Sequence, residues 1–296
     1  MIQSKLNLKN YFFAISAFLS IQLQAFAQND KPTAQEVIAL IKEEVNCDWQ
    51  KETVDTFKAG NPAAKVTGIA TTFMATMEVL KKAKAQGCNL VITHEPTFYN
   101  HLDDMEPLER DPVQQAKLSF IEKNDMVVFR FHDHWHRHSP DGIYTGVVQA
   151  FGWEKYREGM EHKFIIPKTT LRELADFIAG KFKTHTVRVV GNPDMELTYV
   201  GMVLGAAGRQ SHFRMLNQRG IQAIIVGESQ EWETVEYIRD ANELGMEQGL
   251  IVMGHADSEE AGMEYCAEWL ESFISKEIPV KFIPAGNPLW SPAQFK

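Results

Sequence analysis

Four histidines at alternate positions dominate the chemistry this chain can do. Phe131 to Gly142 reads F-H-D-H-W-H-R-H-S-P-D-G and carries His132, His134, His136 and His138, nearly half of the ten histidines in the chain. Two more polar clusters accompany it: T-H-E-P from Thr93 to Pro96, with His94 and Glu95, and G-H-A-D-S-E from Gly254 to Glu259, with His255 and Glu259. Imidazole nitrogen and carboxylate oxygen are donors suited to zinc, manganese, iron, cobalt or nickel. Together the clusters supply enough ligands for one or two such ions. The histidine run leaves its own geometry open. An extended segment would put all four rings on one face, a turn would bring about two together, and His132 and His136, four apart, can also meet across one helical turn. His255 and Glu259 have that same spacing and would share a face on the first turn of a helix.

The elements around these clusters must position them. Apolar periodicity predicts helices over 34–48, 73–86, 112–123, 145–151, 169–178, 232–244 and 262–274. Strands are expected over 66–71, 89–93, 126–131, 184–189, 197–204, 221–226, 250–253 and 280–283, with 155–168 as a connector. Each ligand cluster follows an apolar strand, and parallel sheets gather their chemistry at such strand ends. The expected fold is α/β: two α/β halves with mixed sheets flanked by helices and a metal site in the cleft between them. The expected division is a signal peptide over 1–27, a first domain over 28–154, a connector and start of the second half over 155–190, and a second domain over 191–296.

Bulk composition narrows the function. The chain has 296 residues and a formal charge of −9, without a basic block. That argues against nucleic-acid binding, which rewards clustered positive charge. Residues 1–27 combine Lys5 and Lys9, an apolar stretch from Tyr11 to Leu23 and Ala25-Phe26-Ala27 before Gln28, the pattern of a cleavable export signal. The expected location is therefore exported, periplasmic or extracellular, with no stable membrane insertion after cleavage. The three cysteines, Cys47, Cys88 and Cys266, form no Cys-x-x-Cys pair, which excludes a four-thiolate zinc site. Gly205-Ala206-Ala207-Gly208 lacks phosphate-loop spacing and reads as a tight turn. Ser211 and Ser258 have no spacing that suggests a nucleophile triad. Tyr99 and His101 are candidates for the mouth of the site, and Glu228 and Asp133 for orienting its histidines.

The separated motifs bring the chain close to a known family. N-L-V-I-T-H-E-P-T-F at Asn89–Phe98 resembles a strand followed by a His-His-Pro signature. R-F-H-D-H-W-H at Arg130–His136 resembles a His-Thr-Asn-(Leu/Trp)-Asp stretch, with Trp135 at the bulky position. R-V-V-G-N-P-D at Arg188–Asp194, V-G-E at Val226–Glu228 and G-H-A-D-S-E-E-A-G at Gly254–Gly262 follow in matching order. Over roughly residues 34–292 the chain is similar to the Nif-three-like dinuclear metal-centre family, also described as GTP cyclohydrolase one type two-like (DUF34) proteins. The resemblance implies two divalent transition-metal ions, zinc, manganese or iron. It implies ligands at His94, Glu95, His136, His255 and Glu259, with His132 close to the ions or ligating. Glu95 stands where the pattern has a second histidine, and His136 where it has an aspartate, so the ligand count is preserved. His134 and His138 offer spare nitrogens. Glu259 and Glu95 are the catalytic candidates, Glu259 as a bridge between ions and Glu95 as a general base if it is not a ligand. The expected function is a metal-dependent hydrolase of a small or phosphorylated molecule. The alternative is an exported metal-binding or structural oligomeric protein without turnover. The family also implies a homo-oligomer, as a hexameric ring. GTP is a poor substrate for an exported protein, since it is scarce outside the cytoplasm.

Overall fold

A computed structural model describes residues 31–159 and 161–292. The expected signal at 1–27 lies outside these residues. The first half runs α1 (Ala34–Glu44), β1 (Phe57–Ala59), β2 (Ile69–Thr72), α2 (Met77–Ala85), β3 (Leu90–Thr93), α3 (Pro112–Lys123), β4 (Val127–Arg130), α4 (Asp133–Arg137) and α5 (Gly142–Phe151). The chain continues through β5 (Lys163–Thr170), α6 (Leu171–Phe182), β6 (Arg188–Val190), β7 (Glu196–Val203), α7 (Gly208–Leu216), β8 (Ala223–Val226), α8 (Glu236–Glu243), β9 (Gly249–Val252), α9 (His255–Glu271) and β10 (Val280–Phe282).

Two mixed five-stranded sheets result, in the orders β1-β4-β3-β2-β10 and β5-β7-β8-β9-β6. In the first, β10, β2, β3 and β4 are parallel neighbours and β1 is an antiparallel edge. In the second, β7, β8 and β9 are parallel, and β5 and β6 are antiparallel edges. Strands β2, β3, β4, β8 and β9 are buried at every position, which is why their sequences are near-continuous apolar runs rather than alternating ones. One face of each sheet joins a core that spans both, from Ile69 and Phe129 through Met263 and Cys266 to Val200 and Ile251, while the opposite faces pack into separate clusters around Val91 and Val128 and around Ile224 and Leu250.

Local signals set the helix starts. Thr33 and Glu36 form a capping box on α1, whose buried face is Ala34, Val37, Ile38 and Ile41. Thr76, Asp111 and Asp141 cap α2, α3 and α5 with their side-chain oxygens. The cap at Thr76 explains why α2 starts later than position 73.

Several expectations are corrected. The connector over 155–168 holds most of β5, an edge strand whose alternating burial carries little continuous apolar signal. Helix α7 was not expected, because only His212 and Leu216 are buried along it. The helix expected from 232 is broken by a kink at Glu233 before α8 begins. Helix α9 begins at His255 rather than 262, so His255 and Glu259 lie on its first turns. Helices α5 and α9 cross at backbone contact. A Cβ on Gly146 would sit 2.2 Å from the Ala261 carbonyl oxygen, so the residue must be glycine. Thr71 Oγ1 donates to the Met263 carbonyl at 2.8 Å, tying α9 to the first sheet, and β10 then joins that sheet beside β2.

Candidate metal centre

The parallel register fixes where the ligand clusters emerge. Thr72, Thr93 and Arg130 end β2, β3 and β4 in register, so His94 and Glu95 leave the same sheet edge as His132. Strands β7, β8 and β9 likewise run out together into Gly205, Glu228 and the start of α9. The two edges enclose a cleft between the sheets.

The histidine run is not extended there. His132 sits at the start of α4, and His136 follows one turn later, with its N–H bonded to the His132 carbonyl at 3.0 Å. Their rings stand 5.0 Å apart, and each lies within 4.9 Å of the His94 ring. Asp55, almost fully buried, accepts the backbone N–H groups of His132, Asp133 and His134 at 2.7, 3.0 and 2.9 Å. It satisfies the free donors of a helix start and so holds this short helix at the strand end.

Four imidazoles share one orientation. His94 Nδ1 donates to the Phe131 carbonyl at 3.3 Å. His132 Nδ1 pairs with Asp133 at 3.0 Å, His136 Nδ1 with Asp141 at 3.0 Å, and His255 Nδ1 approaches Glu228 at 3.6 Å. Each outer partner turns the Nε2 atom inward, the arrangement that aims and strengthens histidine ligands. Inside, Glu259 lies 3.0 Å from His255 Nε2, 3.5 Å from His94 Nε2 and 3.9 Å from His136 Nε2. Glu95 lies 3.4 Å from His255 Nε2 and 3.7 Å from His132 Nε2. Every one of the six ligand candidates is therefore brought together.

Two clusters can hold a metal ion, His94 with His132 and His136, and His94 with Glu95 and Glu259. His94 belongs to both. Its ring is fully buried, and among the described residues Nε2 has no hydrogen-bond partner. A buried lone pair without a donor is costly, and a cation at the centre of these donors would satisfy it. The donor set thus fits divalent transition-metal ions.

The electrostatics separate the rings: burial opposes a charge on His136, but Asp141 and Glu259 outweigh it and raise its pKa. Burial, reinforced by His132 and His136, holds the His94 pKa well below the usual value, so the ring stays a lone-pair donor. Burial opposes ionisation of Glu95, but His255, His132 and Arg130 outweigh it and hold the carboxyl below its usual range. Burial also opposes a charge on His255, yet Glu228, Glu259 and Glu95 push its pKa up to about 12. The His132 hydrogen bond holds Asp133 well below the ordinary carboxylate range.

Of the two histidines expected to offer spare nitrogens, His134 has none. His134 is fully buried, its Nδ1 lies 2.6 Å from Asp55, and its Nε2 accepts the Gln50 N–H at 2.8 Å. Both ring nitrogens are committed, and none is left for a metal. His138 turns to the Pro140 carbonyl and packs against Trp135 and Trp269. Tyr99 is exposed, and the His101 ring stands 6.3 Å from that of His132. The Gly205 turn abuts the centre: a Cβ there would meet Glu259 Oε1 at 2.0 Å.

Three functional residues escaped the sequence reading. Asp55 lies in the polar stretch before β1, without a motif. Asp141 was legible as the Pro-Asp-Gly cap of α5. Arg130 was legible as a charge at the end of an otherwise apolar strand.

Paired mixed α/β sheets, with imidazoles and carboxylates converging in the cleft between them, define a metal-binding class of protein. The Duf34/NIF3 (NGG1p interacting factor 3) profile matches residues 32–288, and the chain belongs to that family. It is similar to the GTP cyclohydrolase 1 type 2 homolog of Clostridium acetobutylicum, 25% identical over 229 residues, covering 73% of this chain and 81% of the relative. The homolog of the same description from Clostridium perfringens is 23% identical over 245 residues, with 76% and 89% covered. The fold matches that of a Bacillus cereus protein related to NIF3, with a TM-score of 0.70, 13% identity, and 89% and 100% of the two chains covered. Among the described residues, no helix is long and apolar enough to cross a membrane.

Proposed function

We propose that the protein holds two divalent transition-metal ions and uses them for hydrolysis of a small or phosphorylated molecule. The observation that carries this reading is the shared position of His94, whose buried and unpartnered Nε2 belongs to both ligand clusters. Bound ions of this kind supply Lewis acidity and a nucleophile from water at neutral pH. The chain contributes the rest. His94, His132, His136 and Glu259 present fixed donors, each ring aimed by its outer partner. Glu259, buried at the start of α9, belongs to the cluster with His94 and Glu95 and lies 3.9 Å from His136 of the other, so it would serve either ion. Zinc, manganese and iron all suit this mixed set of donors.

A second reading, metal binding without turnover, is favoured by Glu95. It belongs to the cluster with His94 and Glu259, so a bound ion would occupy the carboxylate that would otherwise act as general base. The two readings separate in one experiment: ion counting on freshly purified protein, then turnover of phosphoester, cyclic-amide and nucleotide substrates by wild type and Glu95→Gln. Two ions per chain with turnover in wild type support the hydrolase. Lost turnover with intact metal content makes Glu95 the base, whereas a lost ion makes it a ligand. Two ions with no turnover across the panel support the second reading. Export through residues 1–27 and assembly into a homo-oligomeric, hexameric ring belong to the same proposal, and amino-terminal sequencing and light scattering test them.

A further inference from the structure

Arg130 is the last residue of β4 and is fully buried beside the centre. Its guanidinium is charged at any ordinary pH and presents five N–H donors. Nε donates to the His94 carbonyl at 3.1 Å, and Nη1 donates to the His101 carbonyl and reaches Asp103 at 3.5 Å. Nη2 has no hydrogen-bond partner among the described residues and faces Glu95 Oε2 at 3.6 Å.

Asp103 does not balance this charge alone. Its Oδ2 also pairs with Lys58 Nζ at 3.3 Å, and its Oδ1 accepts the backbone N–H groups of Thr97 and Phe98 at 2.6 and 2.9 Å. Two buried cations, Arg130 and Lys58, therefore pair with one carboxylate, and the buried Lys117 draws on its charge as well. A desolvated charge without a full partner is costly, and Glu95 is the other carboxylate in reach of Arg130. Glu95 is divided as a result: Oε2 faces Arg130, while Oε1 faces His132 and His255.

We propose that Arg130 is a built-in counter-cation that weakens the ion position formed by His94, Glu95 and Glu259, making it the exchangeable one of the two. This rests on the two-ion reading above. Arg130 competes with a metal for the Glu95 carboxylate and adds a fixed positive charge beside that position. Arg130 meets the position formed by His94, His132 and His136 only at the His94 backbone carbonyl and pairs with none of its ring nitrogens, so that position feels the charge less. The fixed charge thus acts on the position that holds two carboxylates and leaves the three-imidazole position nearly untouched, which grades the two adjacent sites into a labile and a tight one.

The test is zinc titration of the metal-stripped full chain by calorimetry, with ion counting at saturation. Wild type should show two unequal dissociation constants. In Arg130→Gln the weaker should tighten by about tenfold or more, the scale expected for removing one nearby charge at protein dielectric, while the stronger changes much less. Arg130→Lys retains the charge and should stay near wild type. Lys58→Met lies outside the pocket and frees Asp103 to neutralise Arg130, so it should shift the weaker constant the same way by a smaller factor. It decides the matter if Arg130→Gln fails to fold. Unchanged or weakened zinc binding in Arg130→Gln, or in Lys58→Met where that variant stands alone, overturns the proposal and leaves two-ion binding intact. Absence of zinc binding in wild type overturns both.

Discussion

Asp55 and His134 form a buried pair, with Oδ2 2.6 Å from Nδ1, directly beneath the histidines that face the cleft. The Trp49 ring lies on the His134 imidazole at 3.6 Å and nearly parallel. The histidine that looks like a ligand is a strut, and the aspartate carries three backbone N–H groups of α4 besides. Each buried donor left without its acceptor costs about 1–3 kcal/mol. Asp55→Ala should lose stability on that scale in a urea titration, and should release zinc from the His132–His136 position. Full ion content at native stability would show that α4 holds itself.

Sharing of His94 between the clusters predicts unequal losses. His94→Ala should abolish both ions, because each cluster needs its Nε2. His132→Ala should leave one ion per chain, held by His94, Glu95 and Glu259. Elemental analysis after gel filtration reads both counts. Two ions retained in His94→Ala would contradict the shared position.

Gly205 combines a φ of +62° with close approach to Glu259. Alanine there is strained by about 1–2 kcal/mol from backbone conformation alone, and its methyl would strike Glu259 Oε1. Gly205→Ala should therefore lower zinc affinity more than a backbone effect explains. Gly208→Ala is the control: its φ is +76°, but no atom lies within 4 Å of an added Cβ. Equal zinc affinity in the two variants would rule out the collision.

His162 gives the fold a pH dependence. It lies nearly flat on the half-buried Tyr144 ring at 3.4 Å. Burial first, then Arg157 and His136, lower its pKa from 6.5 to about 4 against the opposing pull of Asp141 and Glu161. Between those values the unfolded chain binds a proton that the folded chain refuses. This contribution to stability is fully present above 6.5 and is lost as pH falls towards about 4. His162→Phe keeps the stacking and removes the titration. Its denaturation midpoint should fall less than that of wild type between about pH 7.5 and about pH 4.5; parallel curves would assign the acid sensitivity elsewhere.

The ligand types were legible in the sequence, because donors that end apolar strands have few structural reasons to be there. His94, Glu95, His255 and Glu259 were found from local pattern, and the family from the order of the motifs. So was the α/β character, since β2, β3, β4, β8 and β9 are buried on both faces and their residues show it without ambiguity. Edge strand β5 and helix α7 were not legible, because half-exposed elements carry weak apolar periodicity.

What the sequence alone determined was the inventory: imidazoles and carboxylates at strand ends, and the sheets that bear them. Tertiary structure decided which nitrogen of each histidine is free. His134 and His136 are two residues apart in one run, yet Asp55 and Gln50 consume both nitrogens of the first, while Asp141 turns the second towards Glu259. A lone pair's availability depends on the partner at the ring's other side. Asp55 and Gln50 lie 79 and 84 residues away in the chain from the histidine they occupy, a distance that no local pattern spans.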